Sequence, residues 1–183
     1  PGGGVANLRT LTITNSTIVN NFSTYTECAG VYSSGVLTLK GSLISANFGA
    51  GLFSCQGNGS DVSVTPGLVM ADAFNLFGSN GNAGVSGFTP GPTDIVPSVP
   101  LSDILNPTLA NNGGPTLTHA LVAGSPAIDA VASGCPPPDT DQRGFLRPAD
   151  GDSIPGALCD IGAFEFAALP LVVLNDFVTF DPL

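Results

Sequence analysis

The side chains able to do chemistry crowd into one stretch. Asp139, Asp141, Arg143, Arg147, Asp150, Asp152 and Asp160 lie in or beside the interval from Cys135 to Cys159. Three kinds of chemistry suit such a set. Arg143 and Arg147 can form bidentate guanidinium–carboxylate bonds with Asp129, Asp141 or Asp160 and so act as a structural latch. Asp139, Asp141, Asp150 and Asp152 can offer hard oxygen ligands to calcium, although their spacing matches no EF-hand or nonapeptide calcium repeat. Asp139 and Asp141 can face one way on a strand, as the two carboxylates of a glycosidase must face one bond. The latch is the leading reading, with calcium second and catalysis third.

Catalysis ranks last for physical reasons. The chain has four basic residues, Arg9, Lys40, Arg143 and Arg147, and lyase chemistry on an acidic sugar wants a basic residue to take the proton. Trp is absent and Tyr occurs twice, so stacking platforms for sugar rings are scarce. His119 is the single histidine. A triad with Ser125 and Asp129 would lack a nucleophile elbow, and His119 reads as a hydrogen-bonded structural residue. The expectation is a protein that is not an enzyme and needs no cofactor, calcium excepted.

The four cysteines are Cys28, Cys55, Cys135 and Cys159. None sits in a C-x-x-C pair, which weakens zinc and thioredoxin-type readings. An even number spread along the chain fits two disulfides and an oxidising compartment. Three pairings are open; Cys28–Cys55 with Cys135–Cys159 is preferred because each closes a local loop. The alternative is four reduced, buried thiols.

The elements that must position these groups are β-strands. Only 10% of residues are charged while 43% are hydrophobic, and Gly (24) and Pro (16) are abundant. That balance suits short strands joined by tight turns. The net charge of −10 argues against nucleic acid, whose phosphates need clustered Lys and Arg, and against an anionic membrane surface. Ala167–Val173, the most apolar run, is too short to span a bilayer.

A repeat organises the first part. Leu11-Thr12-Ile13-Thr14-Asn15-Ser16-Thr17-Ile18-Val19-Asn20-Asn21-Phe22 overlays Leu37-Thr38-Leu39-Lys40-Gly41-Ser42-Leu43-Ile44-Ser45-Ala46-Asn47-Phe48 at an offset of 26. A weaker third copy starts near Val62 at an offset of 25 and continues through Leu68-Val69. Periods of this size indicate a solenoid. The alternation within Leu11–Ile13 and Leu37–Leu39 is that of a strand with one buried face. Several short strands per repeat, with polar corners between, describe a parallel β-helix, with each coil packed on its neighbours. Asn21 and Asn47 are expected to stack in a ladder of side-chain amides. Gly4-Val5 and Gly30-Val31 keep the same spacing, and glycine there would let backbones approach closely. Three N-x-S/T patterns, at Asn15, Asn21 and Asn58, read as ladder and turn residues before they read as glycosylation sites.

Downstream motifs carry a family resemblance. Asn111-Asn112-Gly113-Gly114-Pro115-Thr116-Leu117-Thr118-His119-Ala120-Leu121, Gly124-Ser125-Pro126-Ala127-Ile128-Asp129, Thr140-Asp141-Gln142-Arg143-Gly144, Arg147-Pro148 and Cys159-Asp160-Ile161-Gly162-Ala163-Phe164-Glu165 resemble the closing region of the choice-of-anchor Q family. Phe74-Asn75-Leu76-Phe77-Gly78 resembles that family's aromatic-Asn-Leu-Ile-Gly stretch, with Phe77 in place of Ile. The resemblance implies a secreted bacterial right-handed parallel β-helix and implies no reaction.

The expected organisation is a β-helix with a loop-rich cap over 1–166 and a terminal strand, or the start of another domain, over 167–183. Leu171, Val173, Phe177 and Phe180 alternate as an inter-subunit strand would. A free strand at one end and an uncapped first coil at the other suit head-to-tail self-association. The expected function is that of an extracellular or cell-surface structural protein or filament subunit. An adhesin-like module that binds glycans is the second reading, and a polysaccharide lyase or glycoside hydrolase fragment the third.

Overall fold

A computed structural model of the chain describes residues 3–23, 30–49 and 61–167. Cys28, Cys55, the Asn58 pattern and the tail residues Leu171, Val173, Phe177 and Phe180 lie outside the described residues.

The first coil holds β1 (Val5–Asn7), β2 (Thr10–Thr14), β3 (Thr17–Val19) and β4 (Phe22–Ser23). The second holds β5 (Val31–Ser33), β6 (Val36–Lys40), β7 (Leu43–Ser45) and β8 (Phe48–Gly49). Then come β9 (Val62–Val64), β10 (Leu68–Met70), β11 (Leu76–Phe77) and β12 (Val85–Ser86). Corresponding strands pair in parallel, giving sheets ordered β1-β5-β9-β12, β10-β6-β2, β11-β7-β3 and β4-β8. This is a parallel β-helix.

The 26-residue offset is the pairing register: Leu11 pairs with Leu37 and Ile13 with Leu39. Leu37 and Leu39 are fully buried, while Thr12 and Lys40 face out. The third copy departs from its expected alignment. Val62 pairs with Val31, not with Leu37, and Leu68 pairs with Val36. The spacing grows to 31 between Val31 and Val62, and to 33 between Leu43 and Leu76. Short apolar strands look alike in every sheet, and the longer second coil shifts the count without disturbing the stack.

Corners repeat as well. Between the second and third sheets the chain turns through a left-handed residue in each coil: Asn15 (φ 45°), Gly41 (φ 55°) and Phe74 (φ 57°). Asn and Gly tolerate this region, whereas a bulky residue is strained there by about 1–2 kcal/mol. At Gly30 close approach decides the residue type, since a Cβ would lie 2.2 Å from the Asp61 carbonyl oxygen.

Polar side chains stack along the helix in columns. Asn21 Nδ2 donates to Asn47 Oδ1 at 2.8 Å, as the expected ladder requires, and Asn47 Nδ2 donates to Asp61 Oδ1 at 2.7 Å. In a second column Ser16 N donates to Ser42 Oγ, Ser42 N to Asn75 Oδ1, and Asn75 Nδ2 to Asp94 Oδ1. Both columns end on an aspartate. A carboxylate accepts only, so it can terminate a run of amide donors.

Two cores result. Ile13, Val31, Leu37, Leu39, Ile44, Val62 and Phe77 fill the coil interior. Leu43 and Leu76 instead join Ile104, Leu105, Leu121, Val131, Ile161 and Phe164 in a second cluster outside it. The downstream segment therefore lies along the flank of the coils. Ala163 N donates to Thr17 Oγ1 in the first coil, and Gly162 N to the Gly41 carbonyl in the second. Outward leucines of the third sheet need cover, and the flank supplies it. This segment carries isolated bridges such as Ala110–Thr118 and Leu105–Leu121, and a 3-10 turn at Leu101–Asp103.

Candidate functional site

Carboxylates and arginines knit the flank internally; Arg143 takes one of its expected partners and Arg147 does not. Arg143 does pair with Asp141, but through one oxygen: its Nε lies 2.8 Å and its Nη2 2.7 Å from Asp141 Oδ2. The other oxygen accepts the backbone N–H groups of Arg143 and Phe145. The Arg143 guanidinium lies 3.6 Å from the Phe164 ring centroid and 4.5 Å from that of Phe145, which adds cation–π attraction. Burial alone would raise the Asp141 pKa, yet the Glu165 N–H, the guanidinium and the Arg143 and Phe145 N–H groups outweigh it and hold the carboxyl below its ordinary value.

Arg147 pairs with Glu165, not with an aspartate. Its Nε lies 2.8 Å from Glu165 Oε2 and both side chains are 1% exposed. Its Nη groups donate to the carbonyls of Gly162 and Asp160. Glu165 also accepts the N–H groups of Ala149 and Asp160. Burial raises its pKa, against the pull of Arg147. The sequence signal for this partner was faint: Glu165 stands at the end of the motif block, 18 residues beyond Arg147, and only the fold returns it.

Asp160 and Asp129 bind backbone rather than arginine side chains. Asp160, fully buried, accepts the N–H groups of Asp129 and Phe166. Burial is the main reason its pKa rises to about 7, and the nearby Glu165 and Asp129 charges add to that. Asp129, in a left-handed conformation, accepts N–H groups from Gly151, Asp152 and Leu158. Between them the Cys135–Cys159 disulfide closes as expected, with Cα atoms 5.4 Å apart.

The expected calcium set of Asp139, Asp141, Asp150 and Asp152 does not assemble. Asp141 is committed to Arg143, and Asp139 is exposed. The carboxylates that converge are Asp129, Asp150 and Asp152, with oxygens within 4.8 Å of one another. These are the described residues that could hold a hard cation. Their oxygens already accept loop N–H groups, Asp150 from Ser153 and Asp152 from Ile154. The expected facing pair of Asp139 and Asp141 has the same fate, since Asp141 is occupied. His119 Nδ1 lies 2.8 Å from the Asn106 carbonyl, and Ser125 Oγ accepts the Ala127 N–H.

No family model, curated protein or solved structure matches the chain. Asn15 and Asn21, two of the three N-x-S/T asparagines, are engaged internally, Asn15 with the Pro136 carbonyl and Asn21 in its column. Among the described residues, no helix is long and apolar enough to cross a membrane.

Proposed function

We propose that this chain is an extracellular structural protein, a surface-displayed solenoid that joins copies head to tail. The observation that carries the reading is the repetitive stack: corresponding strands of successive coils pair in parallel in every sheet, an arrangement in which one coil receives the next. Contact between copies in that direction is heterologous, so repetition gives a filament. The Cys135–Cys159 disulfide supports an oxidising, extracellular location, as does the resemblance to secreted β-helix proteins.

The test is sedimentation velocity over a range of concentrations, with negative-stain microscopy of the non-reduced protein. Concentration-dependent growth into fibres, abolished by Leu11→Lys in the first coil or by Val173→Lys, is the expected result. A wild-type chain that stays monomeric throughout overturns head-to-tail joining.

A further inference from the structure

The outer face of the β10-β6-β2 sheet carries a groove. Two cavities of about 700 Å³ and 520 Å³ meet there and share Thr12, Lys40, Asp72 and Ala73. The first runs over Thr38 and Met70 to Phe88 and Gly91; the second runs to Ser133 and Pro136. Both walls are pinned. Asp72 accepts the Thr93 hydroxyl at 2.6 Å and the Thr93 N–H at 2.9 Å, and Gly91 packs so closely that a Cβ there would meet the Asp72 side chain at 2.5 Å. On the other side Asn15 Nδ2 donates to the Pro136 carbonyl at 2.8 Å, and the neighbouring Cys135 is tied to Cys159. A preformed cleft of this size, apolar surface mixed with a few placed polar groups, suits a ligand.

We propose that this groove binds an uncharged polysaccharide. The charges lining it are Lys40 and Asp72, one of each sign, so the groove itself has no net charge, and a polyanion would meet a protein of net charge −10. The remaining polar groups are hydroxyls. Among the described residues, no hydrogen bond occupies the Thr12 or Thr38 hydroxyl. Lys40 donates and Asp72 accepts, so between them they can satisfy both roles of a sugar hydroxyl. Met70, 52% exposed, and Phe88 offer apolar surface to the C–H faces of a ring. A peptide fits less well. The floor is a sheet face, which presents side chains and not backbone groups, so a peptide lying in the groove cannot add to it as a strand. Coils stack about 4.8 Å apart, which repeats outward threonines at intervals close to the length of one sugar residue.

The test is affinity electrophoresis of the full chain through native gels containing galactomannan, glucomannan, arabinoxylan, mixed-linkage glucan or dextran, with polygalacturonate as the charged comparison. Retardation in at least one neutral gel is expected, weakened at least tenfold by Thr38→Trp, which fills the groove, and by Lys40→Met, whose exposed position leaves folding intact. Ile154→Ser on the flank should change nothing. Absence of retardation in every neutral gel, retardation by polygalacturonate alone, or retardation untouched by both groove substitutions overturns the proposal. Each readout is independent of whether the chain forms filaments.

Discussion

Asn47 gives both its backbone N–H and its Nδ2 to a single oxygen of Asp61, at 2.8 Å and 2.7 Å. Asn47 Oδ1 in turn accepts the N–H and Nδ2 of Asn21. The column thus ends on a carboxyl group that is 5% exposed, with no cation among the described residues that partner its bonded oxygen.

That arrangement sets a pH dependence. Burial lifts the Asp61 pKa to about 6, against the pull of the Asn47 donors, and burial lifts Asp160 to about 7. A carboxyl whose folded pKa exceeds its unfolded value binds its proton more tightly when folded. Its stabilising contribution is therefore complete below pH 4 and is lost as pH rises towards 7. Each pKa unit is worth about 1.4 kcal/mol, so together the two groups should make the protein a few kcal/mol more stable at pH 4.5 than at pH 8. Asp141, held low, works in the opposite direction only in stronger acid. Urea unfolding at both pH values measures the difference, and Asp61→Asn should flatten part of it. A midpoint that rises steadily from pH 4.5 to 8 would contradict the assignment.

The buried Arg147–Glu165 pair should tolerate little. Arg147→Leu leaves Glu165 buried and without its cation, a situation that costs about 3–5 kcal/mol. The double change with Glu165→Leu should recover only part of this, because the Ala149 and Asp160 N–H groups lose their acceptor. Chemical denaturation of both variants reads the coupling. Full recovery in the double variant would mean that the backbone bonds contribute nothing.

The disulfide closes a loop with a sequence separation of 24, for which loop-closure entropy gives about 3.5 kcal/mol of stabilisation. Reduction should loosen the flank before the coils, since the coil-interior core contains neither cysteine. Hydrogen exchange on reduced and oxidised protein should show protection lost around Val131 and Ile161 and kept at Leu37 and Leu39. Equal loss at both places would mean that the two cores unfold as one.

The local pattern alone determined the coil. Alternation in Leu11–Ile13 and Leu37–Leu39 sets one buried face, the 26-residue offset becomes the pairing register, and the spacing of Asn21 and Asn47 becomes a hydrogen bond. Each of these is periodic, and periodicity survives in one dimension. What only the tertiary structure decided are pairings between residues whose spacing repeats nowhere. Val62 joins the first sheet and not the second because loop length, which pattern does not count, sets where a strand lands. Leu43 and Leu76 turn outward to meet the flank, although by type they read as coil interior. Arg147 chooses Glu165 over three aspartates, since desolvation leaves a buried guanidinium stable only beside the carboxylate that folding brings within reach. The Lys40–Asp72 groove has the same origin: its two walls come from loops far apart in the chain, and only the packing of flank against coil brings them to face each other.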